Sequence, residues 1–334
     1  MRFRRSIVSL ATILAVSLSA HLGRAQQGAD WPFWRGPHRN GIADPHQHPP
    51  LQWSDTENVI WKAAVPGRGH GSATVFGDQV FITAADPTSQ QQLVISLDRA
   101  TGTERWRSTV HEGGFEIKGK RQPNEKASLA SSTVATDGKQ LYINFYNDHA
   151  VWTTSLDLTG EIIWQRKISD YAVHQGFGAS PAIYGDLVIV SADNKGGGVI
   201  VGLERKTGVQ RWRHARPEKP NYSSPIIVDA ASRKQLILTG CDLVTSLDPL
   251  TGKTLWSIAG ATTECVTSPV TDGERIFTSG GYPKNHISAV AADGSGEIVW
   301  ENNLRAYVPS MLHRDGYLFL VLDAGVATCL RSSD

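Results

Sequence analysis

Eight side chains stand a few positions ahead of recurring serine-containing strand starts: His70, Lys126, His174, Gln175, Asn221, Tyr222, Glu264 and Tyr307. Their segments read GRGHGSA, NEKASLASS, HQGFGASP, NYSSP, TECVTSP and AYVPS. Loop tips are ordinarily small and polar. These are larger groups that offer both donors and acceptors, suited to an anionic or carbonyl-rich ligand or to a peptide. His70 and His174 are the types that ligate metals, but a histidine alone on a loop is more often solvated, so no metal site is expected. His-Glu-x-x-His, Gly-x-Ser-x-Gly and P-loop patterns are missing, and no catalytic residue is assigned. Asn221-Tyr222-Ser223 matches a glycosylation sequon, a three-residue pattern that arises often by chance.

For such a set to act together, elements 237 residues apart must deliver it to one place. A repeat does this. TGTERW, TGEIIW, TGVQRW, TGKTLW and SGEIVW place Gly102, Gly160, Gly208, Gly252 and Gly296 four residues before Trp106, Trp164, Trp212, Trp256 and Trp300. Trp61, in ENVIWKAAV, has the same apolar setting without the glycine. Strand–turn–strand strings begin in step with them near Ser72, Ser132, Ser180, Ser224, Ser268 and Ser310. Each unit reads as four short strands, the last carrying the tryptophan, the pattern of a β-propeller blade. Asp98, Asp157 and Asp248 precede the turns, where a carboxylate can accept backbone N–H groups. The tryptophans and turn glycines are therefore read as structural, with the rings packing between neighbouring blades. In a propeller every inner strand runs the same way, so the eight loop residues should share one end of the channel. The expected fold is all-β, a single propeller over residues 51–334 with six blade starts.

The N-terminus is expected to direct export. Three arginines within Met1–Arg5, an apolar run Ile7–Ala20 and small residues Gly23 and Ala25 describe a signal peptide (residues 1–25) cut near Ala25. The run is short of the about 20 apolar residues that span a bilayer, and no later segment qualifies, so no membrane span is expected. Cleavage removes four arginines and no acid, turning a formal net charge of +1 into −3, which argues against nucleic-acid binding. Residues 26–50 form an extended arm that Trp31 and Trp34 pin against the propeller surface. Residues 111–131 lengthen one connection, as a solvated or docking loop. Cys241, Cys265 and Cys329 include no Cys-x-x-Cys pair. Buried thiols are expected at Cys241 and Cys329, with a Cys241–Cys265 bridge as the alternative in an oxidising compartment.

The string [DE]-x-x-TG-x-x-x-W after an apolar strand, held in register over roughly residues 31–334, resembles the pyrroloquinoline-quinone (PQQ) type propeller repeat. That resemblance implies one of two functions. BamB-like members use the propeller as a docking platform for a protein or peptide. Quinoprotein dehydrogenases hold PQQ and calcium and oxidise alcohols or sugars. WPFWRGPHRNG and the LQWSDTENVIWKAAVPGRGHGSA stretch look BamB-like. A dehydrogenase of this type would be nearly twice as long, with adjacent cysteines and a Cys-x-x-Cys-His haem site that this chain lacks. A periplasmic or secreted, monomeric, non-catalytic scaffold without a cofactor is therefore expected, with PQQ and calcium as the alternative. The family usually has seven or eight blades. Six starts imply either a shortened product or a ring in which the Trp61 strand completes the sixth blade.

Overall fold

The computed structural model describes residues 30–116, 124 and 127–334. The expected signal peptide and Lys126 lie outside them. Regular structure among the described residues is all β, in six antiparallel sheets. The first holds Thr74–Phe76, Gln79–Asp86, Gln91–Asp98 and Glu104–Glu112. The second holds Ala135–Thr136, Gln140–Asn147, Ala150–Asp157 and Ile162–Asp170. The third and fourth run from Ala182–Tyr184 to Gln210–Arg216 and from Ile226–Ala230 to Thr254–Ala259. The fifth begins at Val270–Thr271 and ends at Ile298–Asn302. The sixth has three strands, Leu312–Arg314, Tyr317–Val321 and Ala327–Arg331. Strand order within each sheet follows the chain, the meander of a propeller blade.

One row of paired residues crosses each complete sheet. It runs Thr74–Phe81–Ser96–Trp106 in the first and Ala135–Tyr142–Ser155–Trp164 in the second. The third reads Ala182–Ile189–Gly202–Trp212, the fourth Ile226–Ile237–Ser246–Trp256 and the fifth Val270–Phe277–Ala289–Trp300. A bulge follows the third-strand residue every time. That residue is small because the indole folds back across it. A Cβ added at Gly202 would lie 2.3 Å from the Trp212 Nε1. The ring then reaches the second-strand aromatic where one exists, with centroids 5.9 Å apart for Phe81–Trp106 and 6.1 Å for Tyr142–Trp164 and Phe277–Trp300.

The same rings join successive sheets. Trp61, Trp106 and Trp164 donate Nε1 to the carbonyls of Arg99, Leu158 and Arg205 in the turns of the next sheet. Trp212 lies over Gly252, where a Cβ would meet the ring at 2.4 Å and φ is +67°. Both facts demand glycine. At the fifth turn the ring of Trp256 rests by Gly294, whereas the expected Gly296 faces Ile258. Asp98, Asp157 and Asp248 accept turn N–H groups as their sequence positions suggest. Apolar clusters fill each gap from the first sheet to the sixth, for example Phe81, Val94, Leu141 and Phe145 between the first two.

Two expectations are revised and one is made specific. Trp61 docks on the first sheet and pairs with no strand of the sixth, so the ring is not closed by it. The arm, in contact through Trp31 and Trp34, follows the channel side of the propeller. Trp31 pairs with Val75, Pro32 accepts the Thr136 N–H, and Arg39 and Arg35 reach the carbonyls of Ile183 and Met311. These are innermost strands or their starts, so Asp30–Gly41 lies in the central channel. Free inner strand edges need backbone partners, and the arm supplies several. Finally, Cys241 and Cys265 are buried free thiols, and Cys329 is exposed.

Two outcomes follow for stability. Trp212→Ala removes the filling between the third and fourth sheets and is expected to cost about 3–5 kcal/mol, read as a lower urea midpoint. Burial pushes His111 and His286 from 6.5 down to about 4. Both are neutral when folded and protonate more readily when unfolded. Their contribution to stability is therefore level above pH 6.5 and falls between 6.5 and about 4, by up to about 1.4 kcal/mol per pH unit for each histidine. Thermal melts of His286→Gln against the parent over that range should show a shallower decline in the variant.

Candidate functional site

The inner strands open on hydroxyl residues that tie neighbouring sheets together. Ser72 N–H donates to Thr133 Oγ1 (2.9 Å), Thr133 N–H to Ser180 Oγ (3.0 Å) and Ser180 N–H to Ser224 Oγ (2.9 Å). Ser268 N–H donates likewise to Ser310 Oγ at 3.0 Å. Each accepting hydroxyl spends a lone pair on the neighbouring backbone and keeps its own O–H for donation. In the second sheet the hydroxyl in register is Thr133, not the adjacent Ser132.

Above this row lies a cavity of about 550 Å³ lined by Trp34, His70, Asn124, Ser131, Thr133, Gln175, Phe177, Ser180, Tyr222, Ser224, Tyr307 and Ser310, among others. Trp34 comes from the arm and donates Nε1 to Ser268 Oγ at 2.8 Å, so the arm forms the inner limit of the cavity. Among the described residues the lining includes no Lys, Arg, Asp or Glu. Burial, with Arg68 nearby, lowers the His70 pKa. Burial raises the Tyr222 phenol first of all, and that of Tyr307 likewise, with Glu264 contributing to both. The described surface is rich in hydroxyl donors and backed by aromatic faces.

Of the eight residues picked from the sequence, His70, Gln175, Tyr222 and Tyr307 meet at this cavity. Gln175 accepts from Asn124 through both its backbone and side-chain oxygens. His174 and Glu264 stand beside it. The buried Glu264 carboxylate takes His174 Nε2 at 3.2 Å and the Tyr307 hydroxyl at 2.9 Å, joining three loops. His174 Nδ1 lies 2.9 Å from Lys195 Nζ.

Asn221 is different. It is buried, donates to Asp193 and the Thr239 carbonyl, and accepts the Cys265 N–H. Asp193 is in turn paired with Arg216, both almost fully buried. Asn221 thus belongs to a structural network below the surface, while its neighbour Tyr222 faces the cavity. Sequence reasoning recorded the serine starts as strand markers and missed them as lining. Nothing in the repeat points to Trp34, since the arm lies outside it. Among the described residues no group of three or more His, Cys, Asp or Glu is placed to hold a metal, and no helix is long and apolar enough to cross a membrane.

Meandering four-stranded sheets, tryptophans docked on the next sheet's turn and a polar channel mouth define a tryptophan-docking β-propeller. The model of one such family, described as outer membrane protein assembly factor BamB, matches residues 51–170 and 90–334, and the chain belongs to that family. Among solved structures it is similar to BamB from Moraxella catarrhalis, at 16% identity and a TM-score of 0.56 over 81% of this chain and 75% of that one. It is also similar to quinohemoprotein alcohol dehydrogenase from Comamonas testosteroni, at 13% identity and a TM-score of 0.56, covering 76% of this chain and 51% of that one. A third likeness is quinohemoprotein alcohol dehydrogenase ADHIIG from Pseudomonas putida HK5 (11% identity, TM-score 0.54, 78% and 52% covered). The chain thus spans about half the length of these dehydrogenases. At such identities the likeness concerns the fold. No curated protein matches the chain.

The geometry separates adjacent residues. Asn221→Ala strips partners from Asp193 and the Cys265 N–H and is expected to cost about 2–4 kcal/mol. His70→Ala, on an exposed loop, should stay within about 0.5 kcal/mol of the parent. Guanidinium titrations of the two variants would separate the roles.

Proposed function

We propose that the chain is an exported scaffold that binds an uncharged segment of a protein or peptide partner at the channel mouth, without catalysis. The observation that carries this reading is the cavity of hydroxyls and aromatic faces over the Trp34 indole. Serine and threonine O–H groups suit ligand carbonyls, and Tyr222, Tyr307 and Phe177 offer apolar area. Membership of the BamB family agrees with a docking role.

The quinone alternative fits the residues poorly. Calcium takes 6–8 oxygen ligands, carboxylates prominent among them. Among the described residues the lining presents none, and Glu264 is turned onto His174 and Tyr307.

A photo-crosslinking residue at Gln175, expressed in the source cell's envelope, tests the proposal. A discrete adduct is expected there. A probe at the exposed Lys206, in the turn before the fourth strand of the third sheet, should give none, and Tyr222→Ala should abolish the Gln175 adduct with little loss of melting temperature. Equal adducts at both sites would refute a channel-mouth site. Stoichiometric PQQ binding with calcium, coupled to dye reduction by an alcohol, would refute the scaffold reading itself.

A further inference from the structure

Hydrogen-bonding capacity at the channel mouth is lopsided. Thr133, Ser180, Ser224 and Ser310 each have a hydroxyl oxygen that already accepts a neighbour's backbone N–H, and no described residue accepts from their O–H groups. His70 shows the same bias. Arg68 Nη2 lies 3.3 Å from its Nε2, and a guanidinium can only donate. The Nε2 lone pair is therefore the acceptor, which leaves the ring proton on Nδ1 as one more donor.

The acceptors are spent. Gln175 Oε1 takes Asn124 Nδ2 at 2.7 Å, and the Gln175 backbone oxygen takes the Asn124 N–H. Ser131 Oγ exchanges its bonds with Ser128 inside one turn. Trp34 uses Nε1 on Ser268 and so adds only its ring. Among the described residues, free side-chain donors thus outnumber free side-chain acceptors around a cavity that also carries Phe177, Tyr222 and Tyr307.

An ordinary peptide brings one N–H for every C=O. Buried at this mouth, its N–H groups would compete for few acceptors, and each one left unmet is costly. Proline brings a C=O and no N–H. A proline run also holds the polyproline II form before it binds, which lowers the cost of ordering it, and it packs well against aromatic side chains.

Resting on the channel-mouth reading and narrowing it, we propose that the partner segment is proline-rich. It enters as a polyproline II helix, with carbonyls toward the hydroxyl row and pyrrolidine rings against Phe177, Tyr222 and Tyr307. What fixes the occupant is the mismatch between the two sides of the hydrogen bond: the mouth can answer carbonyls and can answer few N–H groups.

The probe is acetylated nonaproline with a fluorophore at its C-terminus, titrated by anisotropy beside an equally long, uncharged Ala-Ser peptide. Nonaproline is expected to bind about tenfold more tightly than the Ala-Ser peptide. Tyr222→Leu keeps apolar volume but loses the flat ring, and the phenol hydroxyl has no partner to lose. That variant should weaken nonaproline about fivefold with little change in melting temperature. A photo-crosslinking residue at Gln175 should form an adduct with nonaproline. Nonaproline that fails to bind, binds without a Gln175 adduct, or binds equally well to Tyr222→Leu would overturn the proposal. An Ala-Ser peptide that binds as tightly and labels at Gln175 would overturn the proline assignment while leaving the channel-mouth reading in place. So would an envelope adduct at Gln175 whose crosslinked segment holds no proline run. Only the loss of both peptides and of every Gln175 adduct would remove the channel-mouth reading itself, and this inference with it.

Discussion

The structure depends on one contact, the indole of a fourth-strand tryptophan lying over the turn of the next sheet. A four-stranded sheet has two faces, and among the described residues no helix covers either, so each must be buried by another sheet. The indole is large enough to fill the wedge between two sheets that diverge outward. Its demands propagate backward through the sequence. The turn beneath it must be glycine, as at Gly252, because a Cβ would enter the ring. The residue beside it on the third strand must be small, as at Gly202 and Ser246. The aspartate before the turn fixes the backbone that presents the carbonyl to Nε1. A six-residue motif therefore encodes packing between units rather than within one.

The channel follows from the same arrangement. Turning tryptophans outward leaves the shortest strands inside, with free edges whose N–H and C=O groups need partners. Two devices meet that need. Neighbouring Ser and Thr hydroxyls accept the first N–H groups, and the N-terminal arm lays Trp31 and Pro32 along the edges deeper in. The cavity above is what remains between them. Its hydroxyl lining is thus a consequence of satisfying backbone, and the O–H groups left over are available to a visitor.

Much of this was legible in the sequence, and the boundary is physical. Strand order, blade type and the docking role of Trp106, Trp164, Trp212, Trp256 and Trp300 follow from a repeat, because repetition reports local rules applied many times. The shared end of the inner-strand loops follows from topology, and it brought His70, Gln175, Tyr222 and Tyr307 to one cavity. The course of the arm was not legible. Its contacts with Val75, Thr136, Ile183 and Met311 are each made once, by backbone, and leave no pattern in side-chain type. Nor was the division between Asn221 and Tyr222. Adjacent residues on an extended chain point to opposite sides, and which side faces the channel depends on a register that composition does not reveal.

That division also bears on what the mouth can do. Two buried carboxylates near the channel are committed to joining elements. Asp193 is held by Arg216 and Asn221, and Glu264 by His174 and Tyr307. A general acid or base must reach a substrate proton with a free lone pair or hydrogen at a suitable pKa. Here the carboxylates face protein, and burial drives the Tyr222 and Tyr307 phenols upward, away from ionisation. The described groups facing the cavity are hydroxyls, amides, aromatic rings and the His70 imidazole, a set suited to recognising shape and carbonyls. Hydroxyls, amides and aromatic faces gathered over the Trp34 indole are the physical basis for the proposal that the cavity is a binding surface.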